Sequence, residues 1–454
     1  MPGADAHADH HATVDTVVRM EWARVVATLA RYTGDVGLAE ELAQDAVVAA
    51  LEQWPRDGVP ARPGAWLTTV AKRRAIDLFR RNRELEHRYE QLGRDLETAG
   101  PPSGPDPELA AGDEIDDDML RLIFTACHPV LAVPARVALT LRLLGGLTTA
   151  EIARAYLLPE PTIAQRIVRA KKTLGQAKVP FETPDRTQRP ARLSSVLEAL
   201  YLIFNEGYSA TAGADWTRPD LCHEALRLGR ILAQLAPAEP EVHGLVALME
   251  IQSSRLPART GPDGQPVLLL DQDRARWDRL LINRGLAALA RAEQLTAAAT
   301  PGTATPGTAT PGTATPGTAT VPGPYVLQAA IAACHARAFH AEDTDWVRIT
   351  ELYTTLARVM PSPVVELNRA VALSMAAGPQ AGLDLVDQLA GEPSLRDYHL
   401  LASVRGDLLM RLGRPAEAQA AFERAAELTR NGPERELVIR RAREAAQATT
   451  AAGP

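Results

Sequence analysis

From residue 13 onward, apolar positions recur at helical spacing, and no stretch alternates apolar with polar residues long enough to make a sheet. The expected class is all-α. The pattern is sharpest in LTTAEIARAYLLPEPTIAQRIVRAKKTL, residues 147 to 174. Thr148 and Glu151 have capping-box spacing, which predicts a helix carrying Ile152, Ala153 and Tyr156. A turn follows at Leu157 and Leu158, and Pro161 suits the first position of a second helix, where its missing N–H is harmless. In that helix Ile163, Ile167, Ala170 and Leu174 make one apolar face. Thr162, Gln165, Arg166, Arg169 and Lys172 lie on the polar side, where Gln and Arg can reach base edges and the later cations can hold phosphates. A solvated helical hairpin is the plain alternative to a helix-turn-helix.

Composition divides the chain into blocks. Residues 13 to 89 form a helical block whose basic run, 62 to 83, holds seven Arg or Lys against the single Asp77. Residues 90 to 118 carry ten acids against Arg94, with prolines and glycines that bury too little apolar surface to fold, so a flexible linker is expected there. A second helical block runs from 119 to 181, and an Ala- and Leu-rich helical region from 190 to 454. Within that region PGTAT is repeated four times from 301 to 320. The amphipathic sequences on either side, RWDRLLINRGLAALARAEQL and YVLQAAIAACHARAF, both need a partner face. The repeat, with its flanks (299–323), is therefore expected to be a disordered insert in a helix hairpin, which costs only about 1–1.5 kcal/mol in loop closure. Further on, Pro379 and Pro415 stand 36 residues apart in similar helix-turn-helix units. That spacing is near the roughly 34-residue period of tetratricopeptide pairs.

Charge sharpens the picture. The 454-residue chain carries −7 overall, yet residues 147 to 178 hold six basic groups against Glu151 and Glu160. The charges are segregated, and two basic helical modules joined by an acidic linker can bind two patches of one nucleic acid. No apolar run is long enough for a bilayer, and residues 1 to 12 lack a secretory pattern, so a soluble, cytoplasmic protein with no membrane partner is expected. Cys127, Cys222 and Cys334 each precede a histidine. Adjacent helical residues diverge by about 100°, so no metal site is expected, and the cysteines read as small core residues with the histidines nearer the surface. Glu206, Asp271 and Asp273, with Trp216 and Trp277, read as caps or salt links rather than an acid/base pocket. Neither a cofactor nor catalysis is expected.

These features together resemble the extracytoplasmic-function group of bacterial RNA polymerase sigma factors. AEELAQDAVVAALEQW and PARPGAWLTTVAKRRAIDLFRR are similar to sigma region 2, residues 147 to 174 match the region 4 helix-turn-helix, and the resemblance spans residues 13 to about 180. It implies binding to core RNA polymerase, at the beta-prime clamp helices and the beta flap, and to promoter DNA. By position, the beta-prime contacts fall on Glu41, Leu42, Gln44, Asp45 and Trp54. The minus-ten contacts fall on Pro60, Ala61, Arg62, Lys72, Arg73, Asp77, Arg80 and Arg81. The minus-thirty-five contacts fall on Thr162, Gln165, Arg166, Arg169 and Lys172. Many members have glycine where this chain has Leu157 and a cation where it has Ala164, so base preference does not transfer. RLSSVLEALYLIFNEGYSAT, RPDLCHEALRLGRIL and DQDRARWDRLL resemble the subgroup with a C-terminal tetratricopeptide-like domain, which implies regulation through a protein or ligand bound there. A ligand-responsive one-component regulator and a tetratricopeptide scaffold are the competing readings.

Overall fold

The computed structural model describes residues 18, 20–93, 113–185, 187–213, 215–262, 264–298 and 321–451, and of 82–93, 113–116 and 451 the backbone alone. Among the described residues the regular structure is helical, with no named strand, as the periodicity predicts. The chain divides into two compact units, Met1–Ala199 and Leu200–Pro454.

In the first unit, α1 (20–33), α2 (Val36–Asp57) and α3 (Pro63–Gly93) pack around an apolar core that includes Val26, Leu29, Leu42, Ala46, Trp54, Leu67 and Ala71. The α1–α2 corner is closed by Asp35, whose carboxylate accepts hydrogen bonds from Gly37 N at 2.6 Å and Leu38 N at 3.1 Å, two orphan donors of the first helical turn. The stretch 90 to 118, read as linker, is helical at both ends, because α3 runs to Gly93 and α4 begins at Asp113. Its residues 94–112 lie outside the described residues, as do 299–320 of the PGTAT insert. The second module comprises α4 (Asp113–Ala126), α5 (Val133–Leu143), α6 (Thr149–Tyr156) and α7 (Glu160–Gln176).

α8 spans Arg189–Tyr208, and its residues up to Ala199 fall in the first unit. Leu193, Val196 and Leu197 are buried in the first unit. Ser195 Oγ donates to the Cys127 carbonyl at 2.6 Å, and Arg192 donates to the Phe124 carbonyl at 3.0 Å. Arg136 donates to Ser195 Oγ and pairs with Glu198 at 2.9 Å. By packing, residues up to Ala199 therefore belong with the second module, whose α4–α5 corner would otherwise leave those carbonyls without partners.

In the second unit, α9 (Pro219–Leu235), α10 (Pro240–Ser253), α11 (Arg279–Ala298) and α12 (Pro324–Arg337) come first. α10 is apolar nearly all round because it lies between its neighbours: Ala247, Leu248 and Ile251 share one core with Ile282 and Leu289 of α11 and Ala329 and Ala333 of α12. The two helices flanking the PGTAT insert thus meet in a single core. Glu241 of α10 caps α12 by accepting from Tyr325 N at 2.9 Å and Val326 N at 3.2 Å. A Cβ at Gly244 would lie 2.7 Å from Val326 N, so only glycine permits this approach. Then α13 (Trp346–Val359), α14 (Pro363–Ala377), α15 (Pro379–Leu389), α16 (His399–Arg411), α17 (Pro415–Leu428) and α18 (Gly432–Ala451) each pack on the next. Pro379 and Pro415 open α15 and α17, and Gly378 turns the chain before α15 with φ at +98°.

Candidate nucleic-acid interface and the docking of two modules

α6 starts as its capping box requires: Thr148 N donates to Glu151 Oε2 at 2.7 Å, and Glu151 N donates to Thr148 Oγ1 at 3.1 Å. The turn falls on Leu157, whose φ of 49° and ψ of 42° are left-handed, at the position where a glycine would be unstrained. α7 begins at Glu160, so Pro161 takes the second helical position rather than the first. Its buried residues are Ile163, Ile167, Ala170 and Leu174, the stripe predicted by period. Thr162, Gln165, Arg169 and Lys172 are exposed and Arg166 is half-buried, so α7 presents a polar, cationic ridge to solvent.

In the first module Ala61 and Arg62 are exposed ahead of α3, with Pro60 half-buried, and Arg73, Asp77, Arg80 and Arg81 are exposed along α3 itself. Lys72 is half-buried. On α2, Glu41 and Asp45 are exposed, and Asp45 pairs with Arg74 at 3.1 Å. Leu42 and Trp54 depart from the expected polymerase surface, being 4% and 2% exposed. They fall on the inner stripe of α2 with Ala46 and Ala50, and the Trp54 ring meets Trp66 edge-on at 5.3 Å. Gln44 is half-buried and donates to Glu40 at 2.6 Å.

Glu40 is the residue that local sequence did not single out. Its side chain is buried in α2 and takes the guanidinium of Arg142 (α5) at 2.6 Å on Oε1 and the ammonium of Lys171 (α7) on Oε2. Arg142 also donates to the Leu147 carbonyl at 3.0 Å, while its own carbonyl accepts from Trp22 Nε1 at 3.1 Å. Arg31 of α1 pairs with buried Asp118 of α4 at 2.9 Å. Burial raises the Asp118 pKa, and Arg31 and Arg121 pull it back. The two modules are therefore docked through charged contacts whose partners lie far apart in sequence. Lys171 sits on the opposite side of α7 from Thr162, so docking leaves the polar ridge uncovered.

Glu206 pairs with Arg218 and accepts from Thr211 Oγ1 at 2.9 Å, Asp273 accepts from Ala275 N at 2.9 Å, and Asp271 is exposed. Trp277 is buried, and the Trp216 ring lies under Arg259 at 5.1 Å. All three cysteines are buried, which pushes the Cys127 thiol up to about 11 and that of Cys222 to about 12. His223 is exposed and His128 half-buried, but His335 corrects the expectation of surface histidines: it is 7% exposed, because α12 is enclosed by α10, α11 and α13. Burial and then the charges of Arg255 and Arg274 lower its pKa to about 3. Among the described residues no three His, Cys, Asp or Glu side chains cluster as metal ligands, and no helix is long and apolar enough to cross a membrane.

Comparison with known proteins matches these parts separately. Residues 18–84 match Sigma-70 region 2, residues 121–174 match Sigma-70 region 4, and residues 192–293 match a family of unknown function, DUF6596. An uncharacterised protein of Rhizobium meliloti (strain 1021) is 43% identical over 417 residues, covering 90% of each chain. The ECF RNA polymerase sigma factor SigL of Mycobacterium tuberculosis is 28% identical over 145 residues, 32% of this chain and 76% of its own. The ECF RNA polymerase sigma factor SigK of Mycobacterium ulcerans is 30% identical over 151 residues, 32% of this chain and 74% of its own. No solved structure matches the chain. With both sigma regions in order, each built on the packing just described, and a helical region following them, the chain belongs to the extracytoplasmic-function RNA polymerase sigma factors and carries a C-terminal DUF6596 extension.

Proposed function

We propose that this sigma factor directs core RNA polymerase to promoters by placing the ridge of α7 on the minus-thirty-five element and α3, with the loop before it, on the minus-ten element. The observation that carries this reading is the separation on α7 of a buried apolar stripe from the outward Thr162, Gln165, Arg166, Arg169 and Lys172. Gln and Arg on such a ridge reach base edges in the major groove, and cations nearer the C-terminus hold phosphates. Along α3, Lys72, Arg73, Arg80 and Arg81 supply phosphate contacts and Asp77 an acceptor. Because phosphate contacts dominate affinity and the chain is acidic overall, unaided DNA binding is weak and polymerase supplies the difference. Glu41 and Asp45, exposed on α2 with Asp45 paired to Arg74, meet the beta-prime clamp helices, and the beta flap takes the second module. The extension from residue 200 sets activity through a partner or ligand of its own. Transcription with purified core enzyme, from a promoter upstream of the protein's own operon, tests the reading. Specific transcripts that vanish on joint substitution of Arg166 and Arg169 by alanine support it. No transcript from the native chain, when a control sigma factor gives one, overturns it.

A further inference from the structure

We infer that the second unit contains a binding site for a small organic anion, held through a carboxylate or phosphate by Arg255. Arg255 follows α10 and is 6% exposed, yet its side chain forms no hydrogen bond, and no carboxylate lies within 4.0 Å of it among the described residues. Its guanidinium lies over two aromatic faces, Tyr208 at 5.7 Å and Trp277 at 5.8 Å, and its charged neighbours Arg259 and Arg274 are cations that repel rather than pair with it. Those faces offset part of the loss of water but accept no bond from the planar N–H fork. A buried cation is ordinarily paired, and the geometry of this one matches a planar or tetrahedral oxyanion.

The surroundings make a site of it. Arg255 lines a cavity of about 270 Å³ bounded by α8, α10, α12, α13 and α14. No Asp or Glu lines this cavity. Two further buried polar atoms on its wall, Gln252 Oε1 and His335 Nδ1, have no protein partner. Tyr353 adds a hydroxyl that burial keeps protonated, with its pKa pushed up to about 12. Leu248, Ile331 and Leu356 add apolar lining. The volume sits at the lower bound of small-molecule pockets, which admits a metabolite with a short hydrocarbon or single-ring body and excludes a peptide segment. Neutral His335 and the uncharged amide of Gln252 serve the body of such a molecule, and Arg255 its charge.

The test uses the full chain without polymerase or DNA, so its outcome is independent of the promoter-reading proposal. Inorganic phosphate, acetate, butyrate and benzoate are titrated against chloride at matched ionic strength, and binding is followed by the thermal midpoint and by calorimetry. The expected result is a saturable rise in midpoint with at least one probe, weakened about tenfold or more in Arg255→Met. Phosphate alone acting would assign a phosphoryl ligand, and the carboxylates alone an organic acid. Asn368→Trp, at the exposed mouth of the cavity, should weaken binding while leaving the core untouched, which keeps the test decisive if Arg255→Met folds poorly. No saturable effect with any probe, or an effect that survives both substitutions, overturns the inference.

Discussion

Glu40 on α2 and Arg142 on α5 meet at 2.6 Å across the boundary between the two sigma modules, with side chains only 3% and 16% exposed. Lys171 of α7 completes the arrangement on the second carboxylate oxygen. Removing the acid leaves two cations facing one another at a desolvated surface. Glu40→Ala should destabilise the protein by about 2–3 kcal/mol in urea denaturation, with little change in slope. A double-mutant cycle with Lys171→Ala should give a coupling of about 1 kcal/mol. Simple additivity would mean that the modules do not dock in solution.

Leu157 occupies a left-handed conformation that costs an L-residue about 1–2 kcal/mol, partly regained through the lower entropy of leucine in the unfolded chain. Its side chain is 51% exposed, so little packing is lost on substitution. Leu157→Gly should raise stability by about 0.5–1 kcal/mol, read as a higher thermal midpoint. A lower midpoint would show that the leucine makes contacts worth more than its strain.

Ser195 lies beyond region 4 in sequence, yet its hydroxyl joins Arg136 to the Cys127 carbonyl. Ser195→Ala should cost about 1–2 kcal/mol of stability. Ending the chain near residue 185 should do more harm, because it removes buried Leu193, Val196 and Leu197 of the first unit and the contacts of Arg192 and Ser195 with Phe124, Cys127 and Arg136. Aggregation of that truncation, set against solubility of one ending beyond Tyr208, is the expected contrast.

Arg166→Ala and Arg169→Ala should weaken promoter binding by the assembled polymerase while leaving co-purification with the core enzyme intact. For each phosphate contact removed, the slope of log affinity against log salt should shrink by about 0.9. An unchanged slope in both variants would place these residues off the DNA backbone.

His335 stays neutral in the fold down to about pH 3, whereas in the unfolded chain it takes up a proton near its ordinary 6.5. A folded pKa below the unfolded one means that the unfolded state gains protons first as pH falls. Stability should therefore decline from pH 7 toward 5.5, at a limiting slope of about 1.4 kcal/mol per pH unit. His335→Gln should flatten the stability profile of the extension over that range, above the pH where buried carboxylates begin to act in the opposite sense.

How much of this was legible in the sequence depended on whether a residue's partners were local. The stripe Ile163, Ile167, Ala170 and Leu174 and the box of Thr148 and Glu151 are defined within a few turns, so period and spacing fix them. The burial of Leu42 and Trp54 was not legible, because matching by position says which residues a family uses, while burial depends on which stripe of α2 turns inward. His335 escaped because α12 is apolar on every side and its period names no outer face. Glu40 and Arg255 left no local signal: one is explained by residues on α5 and α7, the other by aromatic rings from two distant segments and by a cavity lined by no acid among the described residues.

The docking of α2 against α5 and α7 bears on the length of DNA that a promoter occupies. Elements about 25 base pairs apart are separated by roughly 85 Å of duplex at about 3.4 Å per base pair. A folded unit of the first unit's size has a radius of gyration of only about 16 Å. On the proposed reading, the docked arrangement therefore holds the two readers closer together than any promoter presents its elements. Sequence recognition then draws on a separated population, and each 1.4 kcal/mol of net preference for docking lowers apparent promoter affinity about tenfold. On that reading Glu40 sets how readily the two readers separate, and a group that competed for Arg142 and Lys171 would favour separation.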